Sequence, residues 1–292
     1  MKKIIKLSIV ILILGSFILA QNTQGVFGVE VGDQVKFKML ESKISVEFNG
    51  TAGSFSGFKA DSTIIDVGTS FKVNVESITA SELDWNSTIG SVTFDGMCPL
   101  ALPIMDLMEF LVGYQLAMTY DIMTIYNGGE MTPVYLDVFY FDPFVDTAPM
   151  NWDMFEYIVT EQGNTLNVFY SGITDYDATC TTENNEMTFW WYFNFYQQMS
   201  PDPLTEMSII NDMTAIYDTT TGVLQEAIID FQYNGTFGAV EMGLELDQHI
   251  VKSDQSDFVE FLDNNKWYFI GGGSGLIVLT LAIVIIVKIK KK

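Results

Sequence analysis

Residues 267–287 form an apolar segment of 21 residues without a charge, and four lysines follow it at positions 288 and 290–292. An α-helix needs about 20 apolar residues to cross the hydrocarbon core of a bilayer. Trp267 and Tyr268 suit the headgroup level on one side, and lysines mark the cytoplasmic side. We therefore expect one C-terminal transmembrane helix over 267–287 and a cytoplasmic tail over 288–292.

The first 24 residues have the pattern of a secretory signal peptide. Lys2, Lys3 and Lys6 form a basic start, and the apolar stretch Leu7–Leu19 follows, with Ala20 suited to the cleavage site. We expect residues 25–266 to form an extracellular domain, so that the protein is a single-pass protein of the cell membrane.

This expected domain is strongly acidic. Residues 25–266 contain all 37 carboxylates of the chain and seven lysines, which gives a formal charge of 7 − 37 = −30. Such a surface repels nucleic acid and attracts cations and basic partners. Aromatic residues make up 14% of the chain, which is ample for a folded core. We expect no nucleic-acid binding. The acidic surface suits solubility in salty surroundings, and the alternative is an unidentified surface partner that is basic.

The export signal bears on the cysteines and on three sequons. Cys98 and Cys180 are the only cysteines, and in an oxidising compartment such a pair is expected to form a disulfide. Asn49, Asn86 and Asn234 each begin an Asn-x-Ser/Thr sequence and are candidates for glycosylation.

Residues at both ends of this region alternate between apolar and polar. The stretches Gln34–Met39, Ile44–Phe48 and Phe71–Glu76 have period two, and glycine-containing turns separate them. This pattern predicts an antiparallel meander in the first half, over residues 25–97.

The middle of the region has helical spacing. The stretch Pro99–Tyr126 is apolar at helical spacing and predicts a main helix from about Ile104 to Tyr126. Asn151–Gln162 predicts a shorter helix with Asn151 as its N-cap. A helix apolar on so many sides must be covered by other structure. We expect the sheet to curl around it.

Strands resume in the second half, over residues 163–250. Thr165–Gly172 predicts its first strand, and Tyr217–Gly222 predicts a hairpin turn. The aromatic stretch Met187–Tyr196 predicts a strand buried on both faces. The predicted fold class is α+β, with a twisted antiparallel sheet around one main and one shorter helix, and two β-rich halves that share the helical layer.

The export signal, the opening strand Val31–Phe37, the Tyr217–Gly222 hairpin and the terminal helix with its lysines together resemble archaeal cell-surface proteins of the choice-of-anchor class. That resemblance implies a location and no particular chemistry. The expected sheet around helices also resembles the lipoprotein-carrier fold, which implies a capacity to bind acyl chains.

The sequence offers little for catalysis. His249 is the only histidine, and the two cysteines are expected to be bonded, so serine–histidine and cysteine–histidine nucleophiles are not expected. A carboxylate-based hydrolase is a distant alternative. We expect no cofactor, although acidic residues outside a cell favour loosely bound calcium, for which the candidate ligands are Asp142, Asp146, Asp175 and Asp177.

The favoured function is a non-catalytic binding or structural module on the cell surface. The alternative is a carrier of lipid or another apolar ligand, because methionine-rich and aromatic interiors adapt to such molecules. Its candidate pocket residues are Met105, Met108, Leu111, Leu116, Met118, Ile122, Trp190 and Trp191.

Overall fold

A computed structural model of the chain describes residues 27–99, 133, 135–148, 173–202 and 204–253. Thirteen strands account for the regular structure of these ranges. They are β1 (Gln34–Phe48), β2 (Thr51–Ser56), β3 (Phe58–Ala60), β4 (Thr63–Ile65), β5 (Ser70–Ile78), β6 (Glu82–Ile89), β7 (Val92–Pro99), β8 (Leu136–Asp137), β9 (Ile173–Glu183), β10 (Glu186–Pro201), β11 (Leu204–Asp218), β12 (Leu224–Phe237) and β13 (Val240–Lys252).

The predicted α+β class is wrong for this part of the protein. The described residues are 73% strand and contain no helix. Pro99, which begins the apolar stretch that contains the expected main helix, is the last residue of β7. The following segments lie outside the described residues: the main helix itself, the expected helix Asn151–Gln162, the expected strand Thr165–Gly172 and the two terminal segments. The period-two pattern was therefore the reliable signal, because alternating side chains suit a sheet with one buried face.

Nine of the strands form one antiparallel row in the order β7-β6-β5-β1-β13-β12-β11-β10-β9, and β2 pairs with β1 to make a ten-stranded sheet. The first half of the chain runs outward from β1 to β7. The second half runs inward from β9 to β13, which pairs with β1 from Phe37 opposite Lys252 to Phe48 opposite Met242. The two β-rich halves are thus parts of one sheet, joined at its centre.

A β-bulge in β1 makes this central position possible. The register shifts between Met39 and Glu41, and the buried side chains change parity there, from Phe37 and Met39 to Ile44 and Val46. Leu40, at the bulge, is 44% exposed. The extra residue lets one strand of 15 residues keep a buried face along its whole length while its second neighbour changes from β5 to β2.

The two faces of the sheet differ sharply. Along β11, β12 and β13 every second side chain is buried, and the residues between them are half-buried or exposed. On the buried face, which we call the inner face, the ring of Phe139 packs against Phe37, Phe71 and Trp85 at centroid distances of 5.2, 5.7 and 5.5 Å. The opposite, solvent-facing side is the outer face.

A three-stranded sheet, in the order β4-β3-β8, accompanies the large one. Its Phe58 and Leu136 are buried in the common core. Two polar side chains on the inner face donate hydrogen bonds to carbonyls in this sheet or directly before it. Ser42 Oγ donates to the Gly57 carbonyl, just before β3, at 2.8 Å, and Gln248 Nε2 donates to the Asp137 carbonyl of β8 at 2.8 Å. These bonds satisfy two buried polar groups that would otherwise destabilise the core.

The expected Cys98–Cys180 disulfide is absent from the structure. Cys98 is in β7 and Cys180 in β9, and both side chains are buried. These strands are the first and last of the nine-strand row. The two cysteines therefore do not occupy neighbouring strands of the row.

The predicted hairpin at Tyr217–Gly222 is confirmed. Asp218 Oδ1 accepts hydrogen bonds from the backbone N–H groups of Thr220 and Thr221, each at 2.8 Å. These bonds lower the pKa of Asp218 and outweigh the upward effect of its burial. Gly222 adopts a φ of +71°, and its carbonyl accepts from the Val145 N–H at 2.8 Å.

Replacing Gly222 with alanine should destabilise the fold by about 2–4 kcal/mol, because the side chain adds backbone strain and a steric clash. A Cβ there would lie 2.0 Å from the Val145 carbonyl oxygen. The control is Gly68→Ala, since Gly68 has a φ of +83° and nothing within 4 Å of its Cβ position. In urea denaturation of the full chain, the control should lower the free energy of unfolding by only about 1 kcal/mol. Equal losses in both variants would show that the contact with Val145 does not matter.

Candidate functional site

Three aspartates lie side by side on the outer face. Asp212 of β11 is directly opposite Asp230 of β12, and Asp230 is directly opposite Asp247 of β13. We call these three residues the aspartate row. Strand pairing alone brings them together, because each belongs to a different strand and each occupies the parity that faces away from the core.

The row continues across the neighbouring strands. Beyond Asp212 come Tyr192 of β10 and then Asp177 of β9. Beyond Asp247 comes Lys43 of β1, whose Nζ lies 3.9 Å from Asp247 Oδ2. At that distance, and with both side chains partly exposed, the ion pair contributes little. Four carboxylates therefore share one line of the sheet with one lysine.

Like charges directly opposite each other destabilise a sheet. The effect is visible at Asp247, whose carboxyl pKa is raised above its ordinary value of 3.8. Burial is the largest cause, and the charges of Asp230 and Glu41 add to it, whereas Lys43 lowers the pKa. An ionised Asp247 carboxylate therefore reduces the stability of the folded protein.

Aromatic side chains border the row on β10. Trp190 Nε1 donates a hydrogen bond to Asp212 Oδ1 at 2.8 Å. The rings of Trp190 and Tyr192 are stacked, with centroids 6.4 Å apart and planes at 16°. Farther along the strand, the Tyr196 hydroxyl donates to Glu206 Oε2 at 2.7 Å, and this bond raises the pKa of Tyr196. The outer face thus combines carboxylates with half-buried or exposed aromatic rings.

His249 lies beside the row and is held by acidic neighbours. Its Nε2 is 2.7 Å from Glu226 Oε1, and Glu41 is its partner on β1. The contact with Glu226 ties β13 to the neighbouring strand β12 on the outer face.

The strand Met187–Tyr196 is buried on one face and not on both, contrary to our expectation. Met187, Phe189, Trp191 and Phe195 belong to the core, whereas Thr188, Trp190, Tyr192 and Asn194 are half-buried on the outer face. The two tryptophans proposed for one apolar pocket therefore lie on opposite faces of β10. The other pocket candidates, Met105 to Ile122, lie outside the described residues.

The expected calcium ligands fall into two separate places. Asp142 and Asp146 belong to the loop after β8, where Asp146 Oδ1 accepts from the Ala148 N–H at 2.8 Å. Asp175 and Asp177 are exposed on β9. Within the described ranges, no group of three or more histidine, cysteine, aspartate or glutamate side chains has the arrangement to hold a metal ion.

The three sequons differ in accessibility. Asn49 is exposed in the turn between β1 and β2, with a φ of 47°, and Asn234 is exposed on the outer face of β12. Asn86 is half-buried, its Nδ2 donates to Glu76, and its Oδ1 accepts from Asn74 Nδ2 at 2.7 Å. Glycosylation remains a prediction, and the structure favours Asn49 and Asn234 for it.

Sequence reasoning missed the aspartate row. Its three members are each isolated in the sequence, and each stands in an ordinary alternating strand. The parity of each strand does place them on the wet face, and that signal was available. The strand register that aligns the three residues across the sheet could not be read from the sequence.

Comparison with known proteins gives no relative: no family model, no curated protein and no solved structure matches the chain. Within the ranges that the structure describes, no helix has the length and apolarity needed to cross a membrane. Any functional conclusion must therefore come from the geometry of the outer and inner faces.

Replacing Asp247 with asparagine should stabilise the protein by about 0.5–1 kcal/mol at pH 7, because it removes a like-charge pair from the row. The folded-state pKa of Asp247 is raised, so the cost of its charge is full above that pKa and is relieved as the pH falls toward 3.8. The gain should therefore shrink as the pH is lowered from 7 toward 3.8, and in high salt.

The measurement is the free energy of unfolding at pH 7 and at about pH 4 for the wild type, for Asp247→Asn and for the exposed-turn control Asp61→Asn. The control should change little at either pH. A loss of stability in Asp247→Asn would show that its contact with Lys43 outweighs the repulsion by Asp230.

Proposed function

We propose that this chain is a cell-surface protein, anchored by its C-terminal segment, whose β-domain is a non-catalytic binding module for a basic protein partner. The observation that carries the proposal is the aspartate row with its aromatic border. Location rests on the signal-peptide and membrane-anchor patterns of the sequence.

A lysine- or arginine-rich partner is the ligand that best complements the outer face. Its cations would lie among carboxylates that otherwise repel one another, so binding would remove a cost that the free protein bears. The face of the Trp190 or Tyr192 ring would attract the same cations, with about 0.5–1 kcal/mol for an exposed contact. The described residues from Val73 to Val251 contain no lysine that could compete for these sites.

The proposal is tested with the full chain in detergent micelles and a fluorescent peptide of about ten lysines. Asp212→Asn/Asp230→Asn/Asp247→Asn should weaken binding by about tenfold, or 1.4 kcal/mol. The matched control, Asp61→Asn/Asp66→Asn/Asp95→Asn, changes the net charge equally at positions away from the row. It should change affinity by less than about twofold.

Three results would count against the proposal. Equal losses in both triple variants would mean that only net charge matters. Binding unaffected by salt would exclude the electrostatic mechanism. Competition by millimolar calcium but not by sodium at equal ionic strength would favour a metal ion as the natural ligand.

A second candidate function, binding of an apolar molecule with a polar head, is favoured by one observation on the inner face. Asn211 is 1% exposed and Tyr233 is 2% exposed, and neither Asn211 Oδ1 nor the Tyr233 hydroxyl has a hydrogen-bonding partner in the described structure. Asn211 is opposite Phe231, so Tyr233 is its diagonal neighbour on the same face. Burial raises the pKa of Tyr233.

Each such group, left unsatisfied, costs about 1–3 kcal/mol. A hydroxyl or carboxyl head group could donate to Asn211 and accept from Tyr233, with its alkyl chain among the apolar side chains of the inner face. Gly235 shows how closely this region is packed, since a Cβ there would lie 2.5 Å from the Tyr233 hydroxyl.

Tyr233→Phe separates this candidate from simple packing. Without ligand, the variant should be as stable as the wild type or more stable, because it removes an unsatisfied group. The control Tyr217→Phe should lose about 1 kcal/mol, since the Tyr217 hydroxyl donates to the Asp142 carbonyl at 2.9 Å. Unfolding in urea gives both values.

The same variants are then dialysed against radiolabelled dodecanoic acid, with the full chain in nanodiscs and empty nanodiscs subtracted. Tyr233→Phe should lose most of the protein-dependent binding. If Tyr233→Phe instead destabilises the ligand-free protein as much as the control does, the hydroxyl is already hydrogen-bonded and the candidate fails.

A further inference from the structure

Strand β9 forms the last strand of the row, and among the described strands it pairs only with β10. It is 11 residues long. Its outer-face side chains at Asp175, Asp177, Thr179 and Thr181 are all exposed, and so are Thr182 and Glu183 at its end. An edge strand of this length presents a row of backbone N–H and carbonyl groups to which another strand can bind.

The opposite edge is less suited to receive a strand. β7 has only eight residues. It contains Gly96, against which the Trp85 ring packs so closely that a Cβ would lie 2.3 Å from it, and it ends at Pro99, which has no N–H to donate. Strand β9 contains neither glycine nor proline.

Charge determines which strand β9 can accept. Its sequence, ITDYDATCTTE, has three carboxylates and no basic residue. Pairing two copies of β9 would place six carboxylates on one ladder, which like-charge repulsion opposes. An incoming strand with lysine or arginine on its outer face would instead place cations opposite Asp175 and Asp177.

The edge is continuous with the aspartate row. Asp177 is opposite Tyr192, which is opposite Asp212, so a strand added to β9 would extend the line on which the row lies. On the inner face the same strand would lie beside Ala178, which is half-buried, and Cys180, which is buried. The matching sequence therefore alternates basic and apolar residues.

We propose that the partner binds by β-strand addition: an extended segment that alternates lysine or arginine with apolar residues pairs with β9 as the eleventh strand of the sheet. This inference rests on the proposed function, because it specifies how a basic partner engages the same face. Backbone hydrogen bonds would supply affinity, and the carboxylates would select the sequence.

The test uses two peptides of about ten residues that alternate lysine with valine or threonine and have identical side chains. One has ordinary peptide bonds, and in the other every backbone nitrogen is methylated, so that it keeps its charge but cannot form a ladder. The full chain in micelles should bind the ordinary peptide at least about tenfold more tightly. Hydrogen exchange should slow at Asp175–Glu183 only when the ordinary peptide is bound.

A charge exchange provides the second arm. Asp175→Lys/Asp177→Lys should bind the lysine peptide about tenfold more weakly than the wild type. It should also bind a glutamate peptide of the same pattern, which the wild type does not. Thermal unfolding of this variant verifies that it is folded. If the lysine variant does not fold, Asp175→Asn/Asp177→Asn replaces it. This variant should bind the lysine peptide more weakly and should not bind the glutamate peptide.

The outcomes distinguish the two proposals. Equal binding of the ordinary and methylated peptides, weakened in both by the Asp212, Asp230 and Asp247 substitutions, would overturn strand addition and leave the basic-partner function standing. No binding of either peptide would overturn both. Protection of β7 rather than β9 would also contradict the inference.

Discussion

The pairing of β1 with β13 is the interaction on which the rest of this fold depends. It joins Phe37 to Lys252 at one end and Phe48 to Met242 at the other, and it unites two meanders that are otherwise built from neighbouring strands. Without this pairing, each meander would have a long unpaired edge strand, and the buried apolar face would be divided between two separate sheets. Contacts so distant in sequence form slowly, because loop closure must precede them. The β1 bulge keeps both partners of this strand in register with one buried face.

Much of the sheet could be predicted from the sequence, because its signals are local. Alternation located strands in both halves, and the Asp218–Gly222 turn located the hairpin of β11 and β12. The aromatic stretch in β10 misled, because apolar side chains at both parities hide which face is wet. The partner strand β11 shows which face of β10 is in contact with solvent. Tyr192 is opposite Asp212 and Trp190 is opposite Thr214, so these two aromatic residues lie on the polar outer face. A single strand cannot carry that information.

The candidate site could not be predicted because it is a product of register. Asp212, Asp230 and Asp247 are separated in sequence by whole strands, and a shift of one residue in either pairing would send one of them to the inner face. The same limitation explains the cysteines. Their number and the export signal favoured a bond, but the order of strands placed Cys98 and Cys180 at the two ends of the row.

The two faces of the sheet differ in how their unfavourable features can be relieved. On the inner face, Asn211 Oδ1 and the Tyr233 hydroxyl have no hydrogen-bonding partner among the described residues, and a molecule held inside the domain could supply one. On the outer face, the repulsion among carboxylates is in contact with solvent, so salt and proton binding already reduce it. A partner for the outer face must therefore offer more than charge to compete with dissolved ions. In the proposed complex the edge of β9 supplies that addition, because an extended chain can form backbone hydrogen bonds with it and a free cation cannot. Cationic side chains and a strand-forming backbone are thus required together, which favours a protein segment over a metal ion as the ligand of this face.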